Sequence, residues 1–165
     1  MKKTTIILIQ VLFATTALYG QEKSMGKRKV PVFIKNFMSN KYPNAKHVEY
    51  YRDKDERNTF IECEFILNRI ECSVKFLGDS LVETERAIEF SKIPLGPQQS
   101  IKNNIDSLSP VYKVLECQEV LRGPDSFYEI SIKAKPGRYF ELLYNKEGVL
   151  LNRDELIINP LPTQF

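Results

Sequence analysis

The 165-residue chain has no tryptophan, one histidine (His47) and three cysteines (Cys63, Cys72 and Cys117). Three cysteines are too few for a disulfide-stapled scaffold. No C-x-x-C occurs, so the tight spacing of a thiol redox motif is missing. One histidine and scattered cysteines do not supply the roughly four ligands of a zinc site. The G-x-S-x-G, P-loop and H-E-x-x-H signatures are absent as well. The expectation is a protein that is not an enzyme and carries no cofactor and no metal.

Long apolar runs are also scarce. The one candidate is the N-terminal stretch "MKKTTIILIQVLFATTALYG", where Lys2 and Lys3 precede a mostly apolar segment from Ile6 to Tyr19 and small Gly20 precedes Gln21. That layout predicts a secretory signal peptide over residues 1–20, cleaved near Gly20–Gln21 and followed by a leader over 21–29 that contains the basic run Lys27 to Lys29. No other stretch approaches the roughly 20 apolar residues of a membrane helix. Charge of one sign is lacking too. Lysine and arginine number 24 against 21 acids, and removing Lys2 and Lys3 leaves 22 against 21, about +1. Nucleic acids and anionic membranes are therefore not expected partners.

What the chain does contain is self-similarity. A shift of 67 lays Ile34, Lys35, Asn36, Pro43, Lys46 and Glu49 onto Ile101, Lys102, Asn103, Pro110, Lys113 and Glu116. The same shift carries Phe60 and Glu62 onto Phe127 and Glu129, the mark of a duplicated unit. Each copy opens with helical spacing: Val30, Phe33, Ile34, Phe37, Met38 and Tyr42 before Pro43, then Ile101, Ile105 and Leu108 before Pro110. Apolar residues then alternate, as in Ile61, Cys63 and Phe65 or Tyr128, Ile130 and Ile132. Alternation predicts strands with one buried face, and the helices would cover it. The expected class is α+β: two helix-plus-four-strand repeats (30–93 and 94–156, with a tail at 157–165) forming an antiparallel sheet with the helices on one face.

On Tyr42–Pro43, Ala45, Val48 and the "LVETE" of Leu81 to Glu85, the chain resembles the PepSY-like, β-lactamase-inhibitor-like family of exported periplasmic proteins. The resemblance covers nearly all of residues 30–156. It implies a periplasmic module whose sheet is like that of β-lactamase inhibitory proteins, and it brings no catalytic residues. Tyr50 stands where a tryptophan is common in the family, and Arg69 replaces a turn glycine.

Two features carry the site expectations. In "FIECEFILNRIECSV" a turn at Leu67–Asn68 would set Cys63 opposite Cys72 as a non-hydrogen-bonded pair facing the helices. Such a pair is a candidate disulfide worth roughly 2–3 kcal/mol. The other reading is two reduced cysteines packed as small hydrophobes. Cys117 reads as a lone buried thiol, and His47 as solvent-facing.

The second feature is the opposite face of the sheet. If Cys63 and Phe65 face the helices, then Phe60, Glu62, Glu64, Glu71, Ser73 and Lys75 face away, joined by Phe127, Glu129, Ser131, Tyr139 and Glu141. This face is either an ordinary wet surface or a partner-binding one with aromatic anchors among carboxylates. The functional expectation is an exported periplasmic protein-binding module, inhibitory in one form, that meets a periplasmic or envelope protein. The alternatives are a small-ligand or cation binder and a structural envelope component. Oligomeric state is not legible.

Overall fold

The structure is a computed structural model that describes residues 23–54 and 57–156. The expected signal peptide and the expected tail lie outside the described residues. A short strand β1 (Lys23–Ser24) and a 3-10 turn lead into α1 (Val32–Lys41), then β2 (Lys46–Lys54), β3 (Thr59–Leu67), β4 (Ile70–Leu77) and β5 (Ser80–Ala87). A second 3-10 turn precedes α2 (Leu95–Leu108), β6 (Tyr112–Arg122), β7 (Asp125–Ala134), β8 (Arg138–Asn145) and β9 (Leu150–Leu156).

Among the described residues, nine strands form one sheet in sequence order, each antiparallel to the next. The expected α+β class of two repeats is therefore corrected to a mainly β fold, in which two helices of 10 and 14 residues lie on one continuous meander. The reason is in the ladder. β5 pairs with β6 from Thr84↔Leu121 to Ala87↔Gln118, so hydrogen bonding runs straight across the expected boundary. Residues expected as a leader contribute β1.

The helices begin and end where backbone chemistry dictates. Pro31 and Pro94 sit at the two N-caps, and Pro97 in the first turn of α2 lacks an N–H that would have no intrahelical partner anyway. Pro43 and Pro110 follow the helix ends, where the Tyr42 and Ser109 amides donate the last bonds to Met38 and Ile105 at 2.9 Å. Ile34 and Met38 of α1 pack on Tyr50, Cys63, Phe65, Val74 and Phe76. Ile101 and Ile105 of α2 pack on Cys117, Tyr128, Ile130, Ile132, Phe140, Leu142 and Tyr144. The buried Tyr144 hydroxyl is satisfied by donating to Asn104 Oδ1 at 2.9 Å. Both clusters lie on the same face of the sheet, since Thr84 faces Val74 across one ladder and Leu121 across the next.

The cysteine hairpin keeps its face and loses its expected register. The pairs are Cys63↔Val74 and Phe65↔Cys72, with Leu67↔Ile70 closing an Asn68–Arg69 turn. Both turn residues take positive φ, 53° and 69°, the requirement of a type I′ hairpin, which asparagine tolerates and leucine resists. Moving the turn by one residue preserves which side chains point inward but makes Cys63 and Cys72 diagonal neighbours. Diagonal pairs stand about 7–8 Å apart, beyond ordinary disulfide reach. All three cysteines are free. Burial first, and then Glu62 or Glu116 beside them, pushes the Cys63 and Cys117 thiols up to about 12. Air-exposed protein, once denatured, should titrate three thiols, and the native protein should react far more slowly. Finding one thiol would restore the bridge.

Candidate functional site: the polar face of the sheet

On the face away from the helices, alternation places polar residues at most positions, interrupted by Phe60, Val120, Phe127 and Leu143. Direct cross-strand partners stand about 5 Å apart, so polar residues of neighbouring strands form rows. One row runs Tyr51, Glu62, Lys75 and Glu83 across β2 to β5. Lys75 Nζ lies 3.6 Å from Glu62, 3.8 Å from Glu83 and 3.8 Å from Asp53. Burial pulls the Lys75 ammonium down, but Glu62, Glu83, Glu85 and Asp53 outweigh it and hold the pKa above its ordinary value. Arg122 at the end of β6 donates from Nε to the other Glu83 oxygen and lies over the Phe127 ring, 5.5 Å from its centre. Phe60, Asp53, Lys75, Val82, Glu83 and Arg122 line a shallow depression of about 350 Å³.

Further along the strands the cations stop and the acids continue. Ser73 donates to Glu85 at 3.0 Å. Gln118 stands between Ala87 on β5 and Glu129 on β7 and donates from Nε2 to Glu116 at 2.7 Å. Glu116, Ser131, Glu141 and Asp154 form the next row. No ion pair reaches Glu85, Glu116, Glu129 or Glu141 among the described residues. Burial and then neighbouring charge act on this group in one direction. Glu129 is raised to about 8 by desolvation, then by Glu141, Glu83 and Glu116, with Arg122 opposing. Glu141 is raised to about 7 by desolvation, then by Asp154, Glu116 and Glu83, with Lys75 opposing. Glu85 is pushed well up by burial and by Glu129, and Glu116 is raised chiefly by burial.

The burial itself is unusual. Glu62, Ser73, Glu83, Glu85 and Gln118 are all at most 9% exposed, yet both helices pack on the opposite face.

All eight expected face residues lie on this side. Phe60, Glu62 and Phe127 gather around Lys75 and Arg122, and Glu129 and Glu141 belong to the uncompensated acids. Glu64 pairs with Ser73, and Glu71 contributes to raising Glu116 from the far end of β4. Tyr139 stands apart, with Lys133 Nζ 5.1 Å from its ring centre. Sequence reasoning missed Asp53, Glu83, Glu85, Glu116, Gln118, Arg122 and Asp154. The signal for Glu83 and Glu85 was present in "LVETE", whose alternation puts both on one side. Glu116 and Gln118 flank the buried Cys117, so alternation alone puts both on this face; the bulge between Val114 and Glu116 acts before them and leaves Leu115 42% exposed.

No family model and no curated protein matches the chain. Solved structures do. A protein from Bacteroides eggerthii DSM 20697, provisionally described as periplasmic, is 15% identical with a TM-score of 0.63, over 76% of this chain and 88% of its own. A DUF2874 family protein from Bacteroides ovatus ATCC 8483 gives 0.61 at 15% identity, over 76% and 86%. A BLIP-like protein from Bacteroides fragilis NCTC 9343 gives 0.57 at 14% identity, over 81% and 90%. The likeness is one of fold. The periplasmic location in the first description agrees with the one that the charged, apolar N-terminus predicts.

Proposed function

We propose that the protein is a non-catalytic module of the periplasm that binds another protein on the polar face of its sheet. The observation that carries this reading is the crowded acid cluster of Glu85, Glu116, Glu129 and Glu141, which no ion pair reaches among the described residues, on a face left uncovered by both helices. Burying carboxylates side by side costs stability, and a partner that brings the missing cations would offset that cost. Phe60 and Phe127, flanking Arg122, supply apolar area of the kind that anchors interfaces. The shared fold with a BLIP-like protein fits the β-lactamase-inhibitor-like resemblance and makes inhibition one form the binding could take. A non-catalytic role fits thiols held near 12 and buried, which leaves little thiolate to act as nucleophile. Cation binding has less support, since no group of three or more His, Cys, Asp or Glu side chains is arranged to hold a metal among the described residues.

The test is capture from periplasmic extract by the native protein and by a Phe60→Ser, Phe127→Ser double variant. Both rings are only partly buried, so folding should survive, while retained partner should fall at least tenfold and raised salt should weaken what remains. Equal capture by the two proteins would move the site off this face.

A further inference from the structure

Gln118 Oε1 is a buried acceptor with no hydrogen-bond partner, the only such side-chain atom among the described residues. The side chain is 5% exposed, and its other end is committed, because Nε2 donates to Glu116 at 2.7 Å. The oxygen is therefore the free end, on a residue that faces Glu129 of β7 directly and Glu85 of β5 diagonally. A buried acceptor left without a donor is costly. The cations of this face do not serve it: Lys75 is drawn to Asp53, Glu62 and Glu83, and Arg122 to Glu83 and the Phe127 ring.

Resting on the binding-face reading above, we infer that the Gln118–Glu129 part of this face receives an arginine side chain of the partner protein, its guanidinium donating to Gln118 Oε1 and to the carboxylates of Glu85 and Glu129. The chemistry selects the occupant. The site offers one neutral acceptor between acidic ones, so its complement must be positive and carry several donors in a spread. A guanidinium has five N–H groups in a planar fork and is weakly hydrated, whereas an ammonium is a compact point charge that holds its water. A divalent cation would need converging oxygens, and none are so arranged among the described residues.

The experiment uses the mature full-length chain, with acetyl-arginine amide as probe and acetyl-citrulline amide as its neutral isostere, followed through the backbone amide resonances of residues 116–120 and 127–131, which every variant retains. Arginine should shift those signals saturably and citrulline should not. Gln118→Met and, independently, Glu129→Gln should each weaken the arginine response about tenfold, the scale of one lost charge-assisted hydrogen bond. Glu129→Gln retains shape and removes the carboxyl that a bound guanidinium would hold ionised, so it answers even if Gln118→Met folds poorly. An equal response to citrulline, or a response to magnesium and none to arginine, would overturn the assignment. The Phe60→Ser, Phe127→Ser protein separates the two readings. Arginine binding kept with partner capture lost supports both. No arginine response from a protein that still captures its partner through those rings overturns only the assignment.

Discussion

Gly148→Ala should lower the stability of the protein by about 2–4 kcal/mol, among the larger effects of a single methyl group. Gly148 sits in the β8–β9 turn at φ +81°, a conformation that costs an L side chain about 1 kcal/mol or more. The rest comes from contact. A Cβ there would lie 2.6 Å from the Pro97 carbonyl oxygen, 2.9 Å from Pro97 Cα and 3.0 Å from Ser100 Cβ. Two of those atoms are backbone in the first turn of α2, so no rotamer change can relieve them. The same turn is tied to the helix by the Ser100 hydroxyl, which donates to Gly148 O at 2.9 Å. Relief would require α2 to lift, and Ile101 and Ile105, both fully buried beneath it, would lose packing. Gly78→Ala is the control. It has φ +58° with no atom within 4 Å of the added carbon, so it should cost only the backbone penalty, about 1 kcal/mol. Urea denaturation of the two variants decides the matter. Equal losses would mean that the approach of turn to helix contributes nothing.

The difference between those two glycines shows where the sequence is readable. Alternation is a local property, and it placed Cys63, Phe65, Tyr128, Ile130 and Ile132 on the buried face, where the structure has them. Proline after a helical run marked both helix ends. Register is not local. Whether the β3–β4 turn falls on Leu67–Asn68 or Asn68–Arg69 depends on which residues accept positive φ, and an arginine in place of a glycine disguised the answer. The two choices keep the same faces and change every partner, which is why the polar face was legible and the Cys63–Cys72 pairing was not. Bulges are less visible again. The irregularity at Val114–Glu116 changes the phase of β6 ahead of Glu116, so that Val114 packs inward and Leu115 is left exposed. The class was overestimated for a related reason: two helical patterns were conspicuous in sequence, but their weight in the fold is set by a ladder that runs unbroken from β1 to β9.

Raising the pH from 5 to 9 should destabilise the protein, the reverse of the usual gain as carboxylates leave acid conditions. Glu141 is held at about 7 and Glu129 at about 8, both above the ordinary carboxylate value of 4.5, first by burial and then by neighbouring acids. Glu85 is raised by the same causes. The sign follows from proton counting. Below the unfolded value both states hold the protons and the contribution to stability is full. Between the unfolded and folded values the native state binds more protons than the unfolded chain, so stability falls as pH rises. The loss is complete once pH passes the folded values, placing the window between roughly pH 4.5 and 8. One pKa unit corresponds to about 1.4 kcal/mol, and because these acids raise one another the shifts do not add, so a total near 3 kcal/mol is expected. Glu129→Gln removes one ionisation and relieves its neighbours. It should match the native protein at pH 5 and exceed its stability by about 2 kcal/mol at pH 9. Thermal unfolding across that range is the measurement. A native midpoint that stays level or rises from pH 6 to 9 would show that these carboxylates ionise freely. The buried acid row would then need no cation from a partner.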